Sequence, residues 1–168
     1  PLNENGLLQA QKAADWLVQN GPWHFLYASK LIRAQKTAEI IQAGLALDLI
    51  SLESLAERRF GALEGLNAAE REARFPNRLQ DETSVPGLET RREFRERVVT
   101  AFEEIVAEKP RSNIIIVSHG GWINQLLYHL SQGVIGYGIT RPKNGSIYIA
   151  VYLVDGGWDL TEIDLESS

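Results

Sequence analysis

One histidine follows a short apolar run and precedes two glycines. The stretch IIIVSHGG (114–121) predicts a strand that ends near His119 and turns into a helix. Ligands of open α/β sheets gather at the carboxyl ends of the strands, and the two glycines leave backbone amides at a helix start, where an anion binds well. His119 is therefore a candidate catalytic residue. The alternative is a histidine that only caps the next helix.

A second candidate is an arginine at the start of a predicted helix. The stretch SKLIRAQKTA (29–38) follows a predicted strand, and Ser29 is a suitable helix N-cap. Arg33 then lies in the first turn, where its planar guanidinium can bind an anion at the same strand ends. The alternative is a solvated arginine, which carries a small cost because the helix dipole disfavours a cation at this position.

The stretch LAERRFGALEG (55–65) places carboxylates beside glycines in an irregular segment. Such a carboxyl group serves as a proton donor when burial raises its pKa. The alternative is a solvated loop in which Glu57 and Glu64 pair with Arg58 and Arg59. Taken alone, this stretch favours that second interpretation.

Composition limits the classes of function. The chain has 168 residues, 44% hydrophobic and 23% charged, which predicts a single globular domain over residues 1–168. A net charge of -5 argues against a nucleic-acid partner. No cysteine is present, which excludes disulfides, zinc–thiolate sites and cysteine nucleophiles. The three histidines lack metal-ligand spacing, so no metal is expected. No apolar run approaches the roughly 20 residues of a membrane span, so we expect no membrane partner and a cytoplasmic location.

The elements that must position these residues alternate along the chain. Periodicity and turn residues predict helices over 4–19, 31–43, 67–74, 88–108 and 121–131, and strands over 23–27, 48–52, 113–117, 146–154 and 158–163. Strands that alternate with helices predict a three-layer α/β/α sandwich with a mostly parallel sheet. The β-branched run at 113–117 predicts a strand buried on both faces, and the last two strands predict a hairpin.

Four motifs occur in the same order as in a known family. They are PLNENG with QA (1–10), SKLIRA with TA (29–38), ERRFG with EG (57–65) and VSHGG (117–121), and VPGLET (85–90) adds a fifth similarity. Together they resemble the histidine phosphatase superfamily, which has the phosphoglycerate mutase-like fold. Any one motif is weak, but the ordered set is specific and covers most of the chain.

The resemblance implies a covalent mechanism without metal or cofactor. A nucleophilic histidine attacks phosphorus, cationic groups stabilise the phosphoryl oxygens, a carboxyl group protonates the leaving alkoxide, and water cleaves the phosphohistidine. By position in the motifs, Arg33 binds phosphate and His119 is the second histidine. Glu57 is the first choice as proton donor and Glu64 the alternative, with Glu89 next if neither serves.

The sequence departs from the family at its nucleophile. In the family that histidine lies in an Arg-His-Gly motif at the end of the first strand, ahead of the segment that PLNE resembles. Here His24 follows Trp, His119 follows Ser and His129 follows Tyr. We therefore expect the strand and its nucleophile upstream of Pro1. A truncated relative with a rearranged sheet is the alternative, and omission of a central strand would expose two strand edges.

The function expected from the resemblance is a phosphomonoesterase that acts on a small phosphorylated metabolite. A phosphatase is preferred to a mutase because the region between the segment of the candidate acids (57–65, the acid loop) and the helix predicted over 88–108 is short. The stretch AERRFGALEGLN (56–67), however, is more similar to the mutase branch. If the chain starts at Pro1, a non-catalytic phosphate- or protein-binding domain is the alternative. The C-terminal hairpin is a candidate edge for pairing with a second copy in a homodimer.

Overall fold

The computed structural model describes residues 2–140 and 142–165. Its helices are α1 (Glu4–Gln19), α2 (Ile32–Leu45), α3 (Ala68–Arg74), α4 (Arg91–Glu108) and α5 (Gly120–Leu130), and its strands are β1 (Phe25–Ser29), β2 (Leu49–Leu52), β3 (Ile114–Val117), β4 (Ile147–Tyr152) and β5 (Trp158–Ile163). All five predicted helices and all five predicted strands are present, with ends that differ by up to three residues. Within the described ranges, no helix is both long and apolar enough to cross a membrane.

The first three strands form a parallel sheet in the order β2-β1-β3. In its register Ser29 pairs with Leu52 on one side of β1, and Ala28 pairs with Val117 on the other. The three carboxyl ends therefore lie level at one edge of the sheet. This confirms the α/β class and the parallel sheet predicted from the alternation of strands and helices.

Helices α1 and α2 cover one face of this sheet. Asn3 caps α1 by accepting a hydrogen bond from the Gly6 amide, and the small and apolar residues of α1 pack inward. The core cluster there consists of Ala14, Leu17, Leu26, Ile41 and Ile115. Burial of each leucine side chain contributes roughly 1.5–3 kcal/mol, so this cluster holds both helices against the strands that carry the site.

The opposite face of β1 meets the end of α4. The Lys109 ammonium lies 4.8 Å from the centre of the Phe25 ring, and burial, helped by the charge of Glu108, raises the pKa of Tyr27. Farther along, the rings of Phe102 and Trp158 meet edge to face at 5.3 Å. Helices thus flank both faces of the parallel sheet.

Strands β4 and β5 form a separate antiparallel hairpin, and their turn contains Asp155, Gly156 and Gly157 as predicted. Within the part of the chain that the structure describes, β3 pairs only with β1 and β4 only with β5, so each leaves one unpaired edge. The prediction that β3 is buried on both faces is wrong: only Ile115 is buried, and its neighbours are half-buried. A strand with one open edge keeps part of its side chains accessible.

The chain divides into two compact units, one built from residues up to Glu57 and from Val98 onward, the other from Arg58–Arg97. The smaller unit is organised by a buried carboxylate, because Glu89 accepts hydrogen bonds from Arg97 Nε at 2.7 Å and from the second guanidinium nitrogen at 2.9 Å. Helix α3 begins with a reciprocal capping box between Asn67 and Glu70. The candidate residues Arg33, Glu57 and His119 belong to the larger unit.

Candidate active site

The carboxyl edge of the parallel sheet brings three segments together. Arg33 follows β1, Glu57 follows β2, and His119 follows β3. Because these strands are parallel and end level, the residues that follow them emerge at the same edge. The sequence predicted that Arg33 and His119 share this edge, which is where ligands of open α/β sheets bind, whereas Glu57 was a candidate by its motif alone.

His119 is the N-cap residue of α5, with an extended backbone and a side chain only 8% exposed. The side chain makes no capping hydrogen bond, so His119 occupies the N-cap position by its backbone alone. Its ring instead contacts Ser29, with 2.8 Å between His119 Nε2 and Ser29 Oγ. This contact joins the end of β1 to the segment after β3.

The segment that carries Glu57 is fixed against the start of α5 by two hydrogen bonds. The Ser118 hydroxyl donates to the Leu55 carbonyl at 2.7 Å, and the Trp122 indole donates to the Ser54 carbonyl at 3.0 Å. Leu55 itself is fully buried. These anchors place Glu57, the next residue but one, beside the first turn of α5.

The Glu57 carboxylate lies at the N-terminus of α5. Its Oε2 accepts a hydrogen bond from the Gly121 amide at 3.0 Å, where the helix dipole favours negative charge. A Cβ atom at position 121 would lie 2.3 Å from Glu57 Oε1, so a glycine is needed for this approach. The structure therefore places the Glu57 carboxylate against Gly121, two residues after His119.

The other two candidate acids have different surroundings. Glu64 is exposed and follows a short 3₁₀ turn, Gly61–Leu63. Glu89 is buried in the smaller unit. Burial alone would raise the pKa of Glu89, but hydrogen bonds from Arg97 and from the Arg59 amide, together with both arginine charges, hold it below its usual range. Of the three candidates, only Glu57 lies in the segment that follows β2 at the carboxyl edge of the parallel sheet.

Arg33 lies in the first turn of α2 and is exposed. Within residues 2–140 and 142–165, its guanidinium has no carboxylate partner. The prediction that Ser29 is the N-cap of this helix is wrong, because α2 begins at Ile32 with Leu31 as its N-cap. The Ser29 hydroxyl accepts from the Leu31 amide at 3.2 Å and faces His119. The guanidinium is thus available to an anion.

Sequence reasoning did not find the contact between Ser29 and His119, nor the side chains behind it. The Gln35 side-chain amide donates to the Ser29 carbonyl at 2.5 Å, and the Ser51 hydroxyl donates to Gln35 Oε1 at 3.1 Å. The only signal in the sequence was that a polar residue follows or ends each of two strands that proved to be adjacent, Ser29 at the end of β1 and His119 after β3. His24 is exposed, and its Nδ1 accepts from the Asn113 amide at 2.9 Å.

The arrangement combines a histidine, an exposed arginine, a helix N-terminus and a carboxyl group at one edge. Cationic and amide donors suit a phosphate dianion, and a nearby carboxyl group suits proton delivery to a leaving oxygen. In the described part of the chain, no group of three or more His, Cys, Asp or Glu side chains is placed to hold a metal ion. This edge of the sheet is therefore the candidate anion site, with Glu57 as its candidate acid.

Comparison with known proteins assigns the class. The family model of the histidine phosphatase superfamily (branch 1) matches residues 1–165, and the chain belongs to that family. The "Uncharacterized phosphatase PhoE" of Bacillus subtilis (strain 168) is 32% identical over 167 residues, which cover 99% of this chain and 83% of that protein. The resemblance inferred from the ordered motifs is thereby confirmed.

Two further relatives differ in their activities. A 2,3-bisphosphoglycerate-dependent phosphoglycerate mutase of Cytophaga hutchinsonii is 33% identical over 123 residues, covering 66% of this chain and 58% of the mutase. The solved structure of a mycobacterial glucosyl-3-phosphoglycerate phosphatase complexed with VO3 superimposes with a TM-score of 0.78 and 28% sequence identity. The match covers 95% of this chain and 85% of the phosphatase chain. The relatives are therefore phosphatases and mutases.

Proposed function

We propose that this protein is a phosphatase that hydrolyses a small phosphorylated metabolite through a phosphohistidine intermediate. The observation that carries the proposal is the hydrogen bond between the Glu57 carboxylate and the Gly121 amide, two residues after His119. It gathers the histidine motif and the acid loop at the sheet edge from which Arg33 also emerges. The phosphatases among the relatives support the same assignment.

Each residue has a role in this mechanism. Arg33 and the backbone amides at the start of α5 bind the phosphoryl oxygens, and His119 stabilises their charge as the phosphoryl group transfers. The nucleophile is the histidine that the family resemblance places before Pro1. Its nitrogen forms a bond to phosphorus while the bond from phosphorus to the ester oxygen breaks, and Glu57 gives its proton to that oxygen. Water then cleaves the nitrogen–phosphorus bond and releases phosphate.

Phosphate binding tests the site on this chain directly. We expect Arg33→Ala and His119→Ala each to weaken binding of inorganic phosphate about tenfold or more, since a charge-assisted hydrogen bond contributes roughly 1.5–3 kcal/mol. Titration calorimetry gives the affinities. Lys36→Ala is the matched control, because it removes a cation from the same helix that already pairs with Glu39 at 3.0 Å. Equal affinities in all three variants would contradict the site.

The assignment of the acid is tested in the form of the protein that carries the nucleophilic histidine, here called the nucleophile-bearing form. Glu57→Gln should lower turnover of an alkyl phosphate by about 10²–10⁴-fold, the range of general acid catalysis. The loss should be smaller with p-nitrophenyl phosphate, whose leaving group needs no proton. Glu64→Gln is the control, and a larger loss in that variant would transfer the role to Glu64.

A mutase is the second candidate, favoured by the 33% identity to a phosphoglycerate mutase. In a mutase the phosphohistidine returns its phosphoryl group to a second hydroxyl of the substrate, whereas in a phosphatase it passes to water. Incubation of the nucleophile-bearing form with 3-phosphoglycerate distinguishes them. Inorganic phosphate as the main product supports the phosphatase, and 2-phosphoglycerate supports the mutase.

A further inference from the structure

The buried contact between Ser29 and His119 is not used by the mechanism above. Ser29 has 0% exposed surface, and its Oγ lies 2.8 Å from His119 Nε2. The two residues are 90 positions apart in the chain. They meet because Ala28 pairs with Val117, so that Ser29 at the end of β1 lies beside the first residues that follow β3.

A serine hydroxyl at this distance from a histidine nitrogen has two interpretations. It is a nucleophile with its general base, or it is a partner that holds the ring. The burial of Ser29 decides between them, since the phosphorus of a substrate cannot reach a hydroxyl with no exposed surface. Ser29 therefore acts on the reaction through His119.

The hydrogen-bonding capacity of the hydroxyl suits this role. The Leu31 amide donates to Ser29 Oγ at 3.2 Å and occupies one of its two lone pairs. One lone pair and one proton remain for the ring. The hydroxyl can donate to Nε2 when that nitrogen carries a lone pair, and can accept when it carries a proton. The ring thus keeps this partner while its charge changes.

Ser29 is itself held in place. Gln35 donates from its side-chain amide to the Ser29 carbonyl, and Ser51 on β2 donates to Gln35 Oε1. A hydrogen-bonded chain therefore runs from Ser51 through Gln35 and Ser29 to His119, across the ends of all three strands. Side chains locked by such outer contacts keep a catalytic group in its productive orientation.

We propose that Ser29 is a positioning residue that fixes the ring orientation of His119 through its buried hydroxyl. The proposal rests on the proposed role of His119 in phosphate binding and deepens it. Ser29, the first residue of the SKLIRA motif, does not cap α2, and the proposal gives it a different function.

The test reads the histidine ring directly. The chain has three histidines, so their ring nitrogens are resolved in ¹⁵N-labelled protein by long-range ¹H–¹⁵N correlation, and His119→Gln assigns the signals. We expect a single hydrogen-bonded state of the His119 ring in the wild type and in Ser29→Thr. In Ser29→Ala the ring loses this partner, so its nitrogen signals should shift, and affinity for inorganic phosphate should fall about threefold to tenfold, as for the loss of one hydrogen bond.

Ala28→Gly is the matched control, because Ala28 is fully buried in the same strand and its methyl group points to the opposite face. This variant loses packing but should keep the His119 signals of the wild type. If Ser29→Ala does not fold, Ser29→Cys supplies the comparison, with a weaker hydrogen-bonding partner of similar size. Ring signals that are the same in the wild type and in the folded Ser29 variants would overturn the proposal.

Failure of the proposed function gives a different result. The ring signals are recorded without phosphate, so they report on Ser29 whether or not the site binds an anion. If the ring signals depend on Ser29 but phosphate leaves the spectrum of the wild type unchanged, the positioning contact stands and the phosphatase assignment fails.

Discussion

The close approach of Glu57 to Gly121 gives the sharpest prediction. Replacing Gly121 with alanine adds a Cβ that would lie 2.3 Å from Glu57 Oε1 and 2.9 Å from its carboxyl carbon. The glutamate is the end of a flexible side chain, so it can move away at little cost to the fold. We expect Gly121→Ala to displace the carboxylate from the helix start while α5 stays intact.

The cost to stability is small when the two effects are compared. Alanine favours the helix over glycine by about 0.5–1 kcal/mol. The lost hydrogen bond to a charged group removes about 1.5 kcal/mol, the lower end of its range, because Glu57 is half-exposed and its carboxylate then meets water. The net loss of about 0.5–1 kcal/mol corresponds to a fall in Tm of less than about 4 °C.

The effect on catalysis is expected to be much larger. In the nucleophile-bearing form, Gly121→Ala should lower turnover of an alkyl phosphate by about 10²-fold or more, as Glu57→Gln does. Turnover of p-nitrophenyl phosphate should fall less. Steady-state kinetics with both substrates, together with thermal melts, separates the loss of the acid from the loss of the fold.

Gly120→Ala provides the reference for this experiment. A Cβ at position 120 meets nothing within 4 Å, so this variant adds a methyl group to the same helix turn without touching Glu57. If Gly121→Ala and Gly120→Ala show the same dependence on the leaving group, then the placement of Glu57 at the helix start has no part in proton delivery. That result would refute the reasoning.

Two further predictions concern the smaller unit. Glu89→Ala should destabilise the protein by about 3–5 kcal/mol, because it removes the buried carboxylate that accepts two hydrogen bonds from the Arg97 guanidinium. Since the pKa of Glu89 is lowered in the folded state, its contribution is present above about pH 4 and is lost on acidification below that value. Urea unfolding between pH 3 and 7 should show a weaker acid dependence in the variant, and parallel curves would contradict this. Gly61→Ala should lower the free energy of unfolding by at least about 2 kcal/mol more than Gly65→Ala. Both glycines have positive φ, but of the two only Gly61 would place a Cβ within 2.5 Å of backbone atoms, those of Pro86, Gly87 and Leu88. Equal urea midpoints of the two variants would show that this backbone contact is unimportant.

The helices were predictable because their signals are local. Helix α1 has the predicted bounds, since Asn3 caps it and its apolar positions recur with helical spacing. The end of α1 is likewise marked by the adjacent residues Asn20, Gly21 and Pro22, which do not favour continuation of a helix. The order of strands and helices in turn predicted that Arg33 and His119 share a sheet edge, and the register of β2 adds the segment of Glu57, which the sequence had not placed there.

The side-chain contacts of the site were not predictable from the sequence. Ser29 has the residue type of an N-cap, but a partner 90 positions away takes its hydroxyl. Glu57 has arginines beside it in sequence, yet its carboxylate meets an amide 64 positions away. Local patterns favour local partners, and these contacts depend on strand register. The half-buried state of β3 likewise depends on what pairs with its edge, which its own residues do not encode.

The hydrogen bond between Glu57 and Gly121 also bears on how product leaves. The helix start comes with its own anion, tethered at an effective concentration of about millimolar or more. Under the proposed function, the phosphate group bound by Arg33 and His119 lies beside this acid. Once Glu57 has given up its proton, its carboxylate repels the phosphate product. The residue that supplies a proton at the start of the cycle would then clear the site at its end.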